Sequence, residues 1–430
     1  MKKILSFIKN SRNSTVAKNF VSLSLLQVAN YVFPLITLPY ITRIFGPELY
    51  GLINFATSFI AYFTLIVNYG FDLSASRDIA QNRDNWANVE KIFNNVLFSK
   101  VLLFLVSALV FFITLFSVAK INQYKILYLI MFLGVGGNVF FPTWFFQGIE
   151  KLNLTAIFTF IIRLIFTLLV FLLIKSKNDY LLYPVTTLIG QIIVSIISLW
   201  LIQKTYKIKI KLPLLTDIWK TLKNDAKIFY TTVVINLYTT TNFVMLGFLA
   251  GDYDVGIYSA AYKIVIIIMS IISGPLSQSL YPSIGKTFAK SRELGIIKVY
   301  KALIFVIPLT LIPSVVIFLF PDLIIHALYG HKFDSAIETL KLLAFAPLII
   351  GLSNVFGIQG LLNLKLDGFV TIVTTIGAIM GLILNFIFVP IYKYNGTAIS
   401  WLITEITITI LMITAFAKNT DFIFDLKKYS

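Results

Sequence analysis

Long apolar segments recur along this chain from about Phe20 to Phe416. Residues 101–116 carry no charged side chain, and residues 157–174 carry a single arginine. A bilayer core is crossed by ~20 apolar residues, and in lipid a helix is required because every backbone amide must be paired within the segment. The pattern therefore predicts an all-α integral membrane protein with about twelve transmembrane helices. The predicted spans are residues 20–42, 51–70, 96–117, 125–146, 154–174, 181–202, 228–250, 256–282, 299–320, 338–362, 369–390 and 396–417.

Positive charge is distributed unevenly between alternate loops. An even number of spans places both chain ends on one side, and cytoplasmic segments are enriched in Lys and Arg. With the N-terminus on the cytoplasmic side, about 25 of the 36 Lys and Arg residues fall in cytoplasmic segments and about 7 in the opposite loops. We therefore expect both termini to be cytoplasmic. The net charge of +17 is then a topology signal, and no nucleic-acid partner is expected.

The composition excludes several kinds of chemistry. Hydrophobic residues make up 58% of the chain and the predicted spans use most of its 430 residues, which leaves no room for a soluble catalytic domain, so we do not expect an enzyme. The chain has no cysteine, so thiolate sites are excluded. Its two histidines, His326 and His331, fall in one predicted loop, and neither a metal site nor a bound cofactor is expected.

A polar segment, Gln203–Lys227, divides the spans into two sets of six. Within it Leu215, Ile218, Trp219 and Leu222 recur at i, i+3, i+4 and i+7, which predicts an amphipathic helix on the inner leaflet. The predicted organisation is an N-terminal six-helix lobe at 1–202, a cytoplasmic amphipathic linker at 203–227, and a C-terminal six-helix lobe with a short cytoplasmic tail at 228–430.

The two sets of spans share a glycine pattern. Gly46 and Gly51 follow the first span, and Gly251 and Gly256 follow the seventh, each pair separated by four residues and followed by an aliphatic residue. Each pattern predicts a tight outer turn that leads into a helix. Two repeats of six spans keep the same orientation, so the repeat axis is expected along the membrane normal, as in secondary transporters.

Charged side chains inside predicted spans are costly and mark functional sites. Arg163 lies near the middle of its span and either faces a substrate cavity or forms a structural ion pair. Lys263 lies about two turns inside its span, so it either contacts substrate or extends to the outer interface. Glu405 is deep in the last span, and it either exchanges a coupling proton or pairs statically with a lysine such as Lys263.

Amide side chains also occur within the spans. Asn30, Asn236 and Asn242 are candidates for binding sugar hydroxyls, although hydrogen bonding between helices is the common role of a membrane amide. No phosphate-binding glycine loop precedes a basic residue, so ATP hydrolysis is not supported.

Three stretches carry a family resemblance: Pro39–Gly51, Asn68–Ala80 and Trp144–Lys151. They resemble segments of bacterial polysaccharide transporters of the Wzx type, whose wider superfamily includes the MATE multidrug extruders. The resemblance extends over essentially the whole chain. It implies two six-helix lobes arranged in a V, within the bacterial inner membrane.

The resemblance also implies a function. Family members move an undecaprenyl-diphosphate-linked oligosaccharide, such as an O-antigen repeat unit, from the cytoplasmic to the periplasmic leaflet, with suspected H⁺ or Na⁺ coupling. Membrane lipids and the polymerase and chain-length regulator of the same pathway are the implied partners. Two arginines within the quoted stretches, Arg43 and Arg77, join Arg163 and Lys263 as candidates for the diphosphate, unless they anchor helix ends. Asp72 joins Glu405 as a coupling candidate.

Other functions fit the architecture less well. A MATE-like small-molecule or cation antiporter is expected to line its cavity with acidic residues, whereas the deep charges here are mostly basic. An O-antigen polymerase is expected to have a long periplasmic loop, whereas the longest predicted outer loop here is about Pro321–Ile337.

Overall fold

The computed structural model describes residues 15–420, and it describes the side chains of residues 32–420 except 152, 235, 237, 238, 274, 275 and 278. Within this range the regular structure is helical, without a strand. Nine helices in the described range are long and apolar enough to cross a membrane, or ten if a bent pair, Leu215–Val234 and Thr239–Leu249, is one span. The all-helical membrane architecture predicted from the sequence is therefore confirmed.

The helices of the first half follow the apolar segments closely. They are α1 (Thr15–Asn68), α2 (Phe71–Gln81), α3 (Trp86–Ser117), α4 (Ala119–Gln123), α5 (Lys125–Val139), α6 (Thr143–Gly148), α7 (Leu152–Leu173) and, after a 3₁₀ turn at Lys177–Leu181, α8 (Leu182–Thr205).

The second half contains longer helices and one π-helical segment. It comprises α9 (Leu215–Leu249), α10 (Asp252–Phe288), α11 (Arg292–Leu319), α12 (Pro321–Leu328), a 3₁₀ turn (His331–Phe333), α13 (Ser335–Leu342), α14 (Ala346–Asn354), the π-helical Val355–Leu361, and α15 (Asp367–Thr420).

Two of these helices contain a break near a predicted loop. Gly46 in α1 has φ 71° and ψ −180°, which is outside the helical region. Lys393 in α15 has φ 50° and ψ −127°. Each break falls between two predicted spans, 1 and 2 in α1 and 11 and 12 in α15. Pro47 follows the first break, and its fixed φ suits the first turn of the helical segment that starts there.

Residue contacts divide the chain into two compact units. The first consists of Ala56–Val233 and the chain before Gly46; the second consists of Gly46–Phe55 and the chain from Val234 onward. The ten residues after the break in α1 therefore belong with the C-terminal half. The predicted lobes 1–202 and 228–430 stay a prediction.

Aromatic packing forms part of the core of the first unit. The rings of Phe111 and Phe132 are stacked, with centroids 4.2 Å apart, and Phe63 meets both edge-on at 5.5 and 5.6 Å. All three side chains are buried. Offset stacking and edge contacts of this kind add to the stabilisation from burial, and they fix the position of α1 relative to α3 and α5.

The second unit has an aliphatic and aromatic core around its π-helical segment. Val355, Phe356 and Leu361 from this segment pack with Met412 and Phe416 of α15. A π-helical turn inserts extra residues into a helix and is common at functional sites. Here it brings the polar side chain of Gln359 into the interior, where it is 1% exposed.

The predicted amphipathic linker is not a separate helix. The helix begins at Leu215 and continues into the apolar part of α9. Ile218 and Leu222 are buried at 4% and 7% exposure, whereas Leu215 and Trp219 are 76% and 71% exposed. The apolar stripe is therefore divided between the protein interior and the surface. The irregular segment before it, residues 207–214, is held against α3.

That attachment consists of hydrogen bonds from α3 to residues 209–211, three to backbone groups and one to the side chain of Lys211. Asn94 Nδ2 donates to Lys209 O at 2.9 Å, and Lys211 N donates to Asn94 Oδ1 at 3.0 Å. Glu90 accepts from Lys209 N at 3.0 Å and from Lys211 Nζ at 2.8 Å. These bonds pair backbone N–H and C=O groups that have no partner within a helix, and they fix where α9 starts.

The repeated glycines meet within the second unit. A Cβ built on Gly51 would lie 1.7 Å from Asp252 O, and a Cβ built on Gly256 would lie 2.0 Å from Pro47 O. Gly46 and Gly251 begin the two patterns with positive φ values of 71° and 109°. Each pattern therefore has one glycine for the turn and one for a close backbone contact with the other pattern.

Candidate functional site

A buried polar cluster lies between α9, α10 and α15 of the second unit. Asn385 Nδ2 donates to Asn242 Oδ1 at 2.8 Å and to Gly381 O at 2.7 Å. The two asparagines are 0% and 6% exposed. A cavity of about 10 Å³, enough for about one water molecule, is bordered by Asn242, Gly381 and Thr404.

Aromatic side chains enclose the same region. The ring of Tyr262 lies 5.5 Å from that of Tyr258 and 4.9 Å from that of Trp401, measured between centroids. Phe243 is 5.2 Å from both tyrosine rings. Glu405 is 7% exposed and interacts electrostatically with both tyrosines. Its carboxyl group is therefore held in an aromatic environment that also contains hydroxyl groups.

Lys263 contacts an aromatic ring. Its Nζ lies 4.8 Å from the centroid of the Tyr50 ring, which is a cation–π distance. Tyr50 in turn meets Tyr329 at 6.1 Å and Phe333 at 5.8 Å, both edge-on. This contact was not foreseen from the sequence, because Tyr50 is more than 200 residues away.

Arg163 lies in the middle of α7 in the first unit. Its side chain is half-buried and interacts electrostatically with Tyr183 of α8. Among the described residues the structure shows no ion pair for Arg163, and its role in a substrate cavity stays a prediction.

The first unit contains a second deep cation that the sequence analysis missed. Lys100 is 2% exposed, and its Nζ donates to Asn138 O at 3.1 Å. It also interacts electrostatically with Asp72, whose carboxylate accepts a hydrogen bond from Thr143 Oγ1 at 3.1 Å. The signal was present, because Lys100 falls inside the predicted span 96–117.

The remaining candidates are less deeply placed. Arg77 is exposed and pairs with its neighbour Asp78 at 3.1 Å, and Arg43 is also exposed. Asn236 is half-buried on α9. The side chain of Asn30 lies outside the described residues. The structure thus gathers Asn242 and Glu405 into one cluster, whereas Arg43, Arg77, Arg163 and Asp72 belong to the first unit.

Two of the three resemblance stretches pack against each other. A Cβ built on Gly148 would lie 2.7 Å from Ile79 Cβ and 2.9 Å from Ser76 O, so only glycine fits this contact between α6 and α2. Next to it, Arg83 and Glu150 form an ion pair of 2.7 Å, and this hydrogen-bonded guanidinium lowers the pKa of the Glu150 carboxyl. These two stretches therefore specify how α6 packs against α2.

Comparison with known proteins identifies the family. A family model described as "Polysaccharide biosynthesis protein" matches residues 16–288. The chain belongs to this polysaccharide biosynthesis family. A protein of Escherichia coli (strain K12) named "Putative O-antigen transporter" is 28% identical over 411 residues, which cover 95% of this chain and 98% of that protein. The resemblance found in the sequence is confirmed.

Solved structures show the same fold. An inward-facing MATE-family multidrug transporter of the MOP superfamily matches with a TM-score of 0.73 at 16% identity, over 96% of this chain and 99% of that one. The lipid II flippase MurJ, in an inward closed conformation, matches with a TM-score of 0.71 at 16% identity, over 93% of this chain and 87% of that one. This family member therefore has the same fold as these two membrane proteins.

Proposed function

We propose that this family member is a flippase that moves undecaprenyl-diphosphate-linked O-antigen, or similar surface polysaccharide, repeat units from the cytoplasmic to the periplasmic leaflet by alternating access. The family, and the transporter name of the Escherichia coli relative, support this class of cargo. The observation that carries the proposal is the half-buried guanidinium of Arg163 at the middle of a membrane helix. Such a group is suited to a diphosphate because it donates two parallel hydrogen bonds.

The proposal includes a topology. We infer twelve spans with both termini in the cytoplasm of a bacterial inner-membrane protein, without enzymatic activity. The breaks at Gly46 and Lys393 support this number, because each divides a helix of 54 residues, long enough to cross a bilayer twice. A polymerase and a chain-length regulator of the same pathway are the proposed protein partners.

A MATE-like cation antiporter is the alternative. The fold is common to both classes and does not separate them. The deep cations Lys100 and Arg163 favour an anionic cargo, because they would repel a cationic one. We therefore assign Glu405 a place in ion coupling, by H⁺ or Na⁺, rather than in binding a cationic substrate; exposed Asp72 is a second coupling candidate.

A deletion strain tests the cargo. Loss of the gene is expected to remove surface polysaccharide and to leave lipid-linked repeat units on the cytoplasmic leaflet, because the diphosphate and sugars do not cross lipid unaided. The measurement is chemical or enzymatic labelling of repeat units in intact and permeabilised spheroplasts, with plasmid-borne wild-type protein as the control. Single repeat units reaching the surface lipid, with only chain length lost, would identify a polymerase instead.

A Glu405→Gln variant tests coupling. The amide keeps the shape of the side chain but does not titrate, so transport is expected to lose its dependence on the proton gradient while the protein level stays normal. Exposed Glu338 of α13 offers a matched control as Glu338→Gln, which should behave as wild type. The readout is gradient-dependent flipping in proteoliposomes together with membrane abundance.

Other results would assign Glu405 a different role. A well-expressed Glu405→Gln protein with unchanged gradient dependence contradicts coupling. A lower protein level that a second change, Lys263→Met, restores would identify a static pair, because removing one partner of a buried pair leaves an uncompensated charge and costs ~3–5 kcal/mol.

A further inference from the structure

The two histidines of the chain lie side by side at one end of the second unit. The ring centroids of His326 and His331 are 4.2 Å apart. His326 Nε2 is 2.9 Å from Asp334 Oδ1, and His331 Nδ1 is 3.9 Å from the same oxygen. One ligand atom from each of the three residues lies within 4.8 Å of the other two. These residues form what we call the His–His–Asp cluster.

The local fold builds this cluster from a short turn. Helix α12 ends at Leu328, and Gly330, with φ 80°, turns the chain so that His331 returns beside His326. Tyr329 and Phe333 are 0% exposed, and their rings are 5.3 Å apart. Because these two aromatic residues anchor the inner side of the turn, the three polar side chains are held together on its outer side.

The side chains of the cluster are accessible to ions. Their exposed fractions are 33% for His326, 84% for His331 and 60% for Asp334. Lys332, which lies between two of them in the sequence, extends elsewhere: its Cδ is 3.8 Å from the position of a Cβ at Gly46. The ammonium-bearing side chain is therefore directed toward a different part of the structure.

We infer that the His–His–Asp cluster is a binding site for a divalent transition-metal ion, with Zn²⁺ the best-suited probe. Zinc binds imidazole nitrogen at ~2.0–2.1 Å and carboxylate oxygen at ~2.0–2.2 Å, usually with tetrahedral geometry. Neighbouring ligand atoms in such a tetrahedron are about 3.3–3.5 Å apart. The two nitrogen–oxygen separations, 2.9 Å from His326 and 3.9 Å from His331 to Asp334 Oδ1, bracket this value, and all three ligand atoms lie within 4.8 Å of one another, so side-chain rotations would complete the site.

The ligand chemistry selects the class of metal. Two imidazoles and one carboxylate suit Zn²⁺, Ni²⁺ or Cu²⁺, whereas Mg²⁺ and Ca²⁺ prefer oxygen ligands. Three protein ligands leave one position for water. The proposed site is independent of the proposed transport function. It departs from the expectation, based on two histidines in one predicted loop, that the chain has no metal site.

Metal binding would affect the contact between this turn and the segment that begins at Gly46. The turn that carries the His–His–Asp cluster packs through Tyr329 and Phe333 against Tyr50, at the segment that begins at Gly46. A bound ion would connect the end of α12 to the residue before α13, and so restrict the motion of this turn. By the charge bias of the loops, the turn is on the predicted periplasmic side.

The test is a titration of full-length protein in detergent. The protein is purified without a polyhistidine tag and treated with chelator, and Zn²⁺ binding is measured by calorimetry or by competition with a fluorescent zinc indicator. We expect one ion per chain at micromolar concentration and at least a tenfold loss of affinity in both His331→Gln and Asp334→Asn. Co²⁺ bound in the same site should give the visible absorption bands of low-symmetry coordination.

Matched controls and a second readout make the result decisive. Asp322→Asn on α12 and Glu338→Gln on α13 change exposed carboxylates of the same region and should bind as wild type. Hydrogen exchange of residues 326–334 should slow on adding Zn²⁺ in wild type but not in His331→Gln. Absence of binding at 100-fold excess over protein, or equal affinity in wild type and both cluster variants, would overturn the proposal.

Discussion

Replacing Arg163 by alanine is expected to reduce export of surface polysaccharide by about tenfold or more while leaving the protein abundant in the membrane. A charged side chain at the middle of a span opposes insertion by ~2.5–3.5 kcal/mol, so its removal should favour insertion. If the guanidinium holds the diphosphate, its loss removes a charge-assisted interaction worth ~1.5–3 kcal/mol, which is roughly a 10- to 150-fold drop in transport. Export is measured by complementation of a deletion strain at native expression. The drop in transport is measured by flipping in proteoliposomes.

Two further variants separate charge from geometry. Arg163→Lys should keep part of the activity, because it retains the charge without the planar fork that binds two oxygens at once. Arg83→Ala is the matched control: this arginine is exposed and pairs with Glu150, so its removal should leave export near the wild-type level. Full complementation by Arg163→Ala would remove this residue from the cargo site.

Introducing a methyl group at Gly256 is expected to destabilise the folded protein severely. A Cβ there would lie 2.0 Å from Pro47 O and 2.8 Å from Pro47 C, so the obstacle is backbone and does not rotate away. The two segments would have to separate, at a cost of more than about 3 kcal/mol. Gly256→Ala and Gly51→Ala should each lower the midpoint of thermal aggregation, measured by size-exclusion chromatography with fluorescence detection after heating.

Gly368 provides the control for this prediction. It is the second residue of α15, and nothing lies within 4 Å of a Cβ built on it. Gly368→Ala should leave the midpoint unchanged or raise it slightly, because alanine loses less backbone entropy on folding than glycine. The double variant Gly51→Ala with Gly256→Ala should cost less than the sum of the two, because both changes force the same separation. A wild-type midpoint in Gly256→Ala would show that this backbone contact is not formed.

The deep charged residues of the candidate site could be predicted from the sequence because burial of charge in lipid is rare. Arg163 and Glu405 were found on that principle alone, and the structure places one half-buried at mid-helix and the other in an aromatic cluster. The same principle applies to Lys100, which immediately precedes the uncharged residues 101–116 and is 2% exposed. The partners of these groups were not predictable, since Tyr183 and Tyr258 give no signal in the sequence that separates them from other tyrosines.

The helical membrane architecture and the family could both be predicted from the amino-acid sequence, because hydrophobic length and local turn residues are properties of short segments. The sequence also marked Gly46, Gly51, Gly251 and Gly256 as a repeat. Three features required the folded structure: these glycines contact each other, Ile218 is buried while Trp219 is exposed, and His326 and His331 converge on Asp334. Such contacts depend on the direction of each side chain after packing, and helical periodicity does not specify which neighbour a given face will meet.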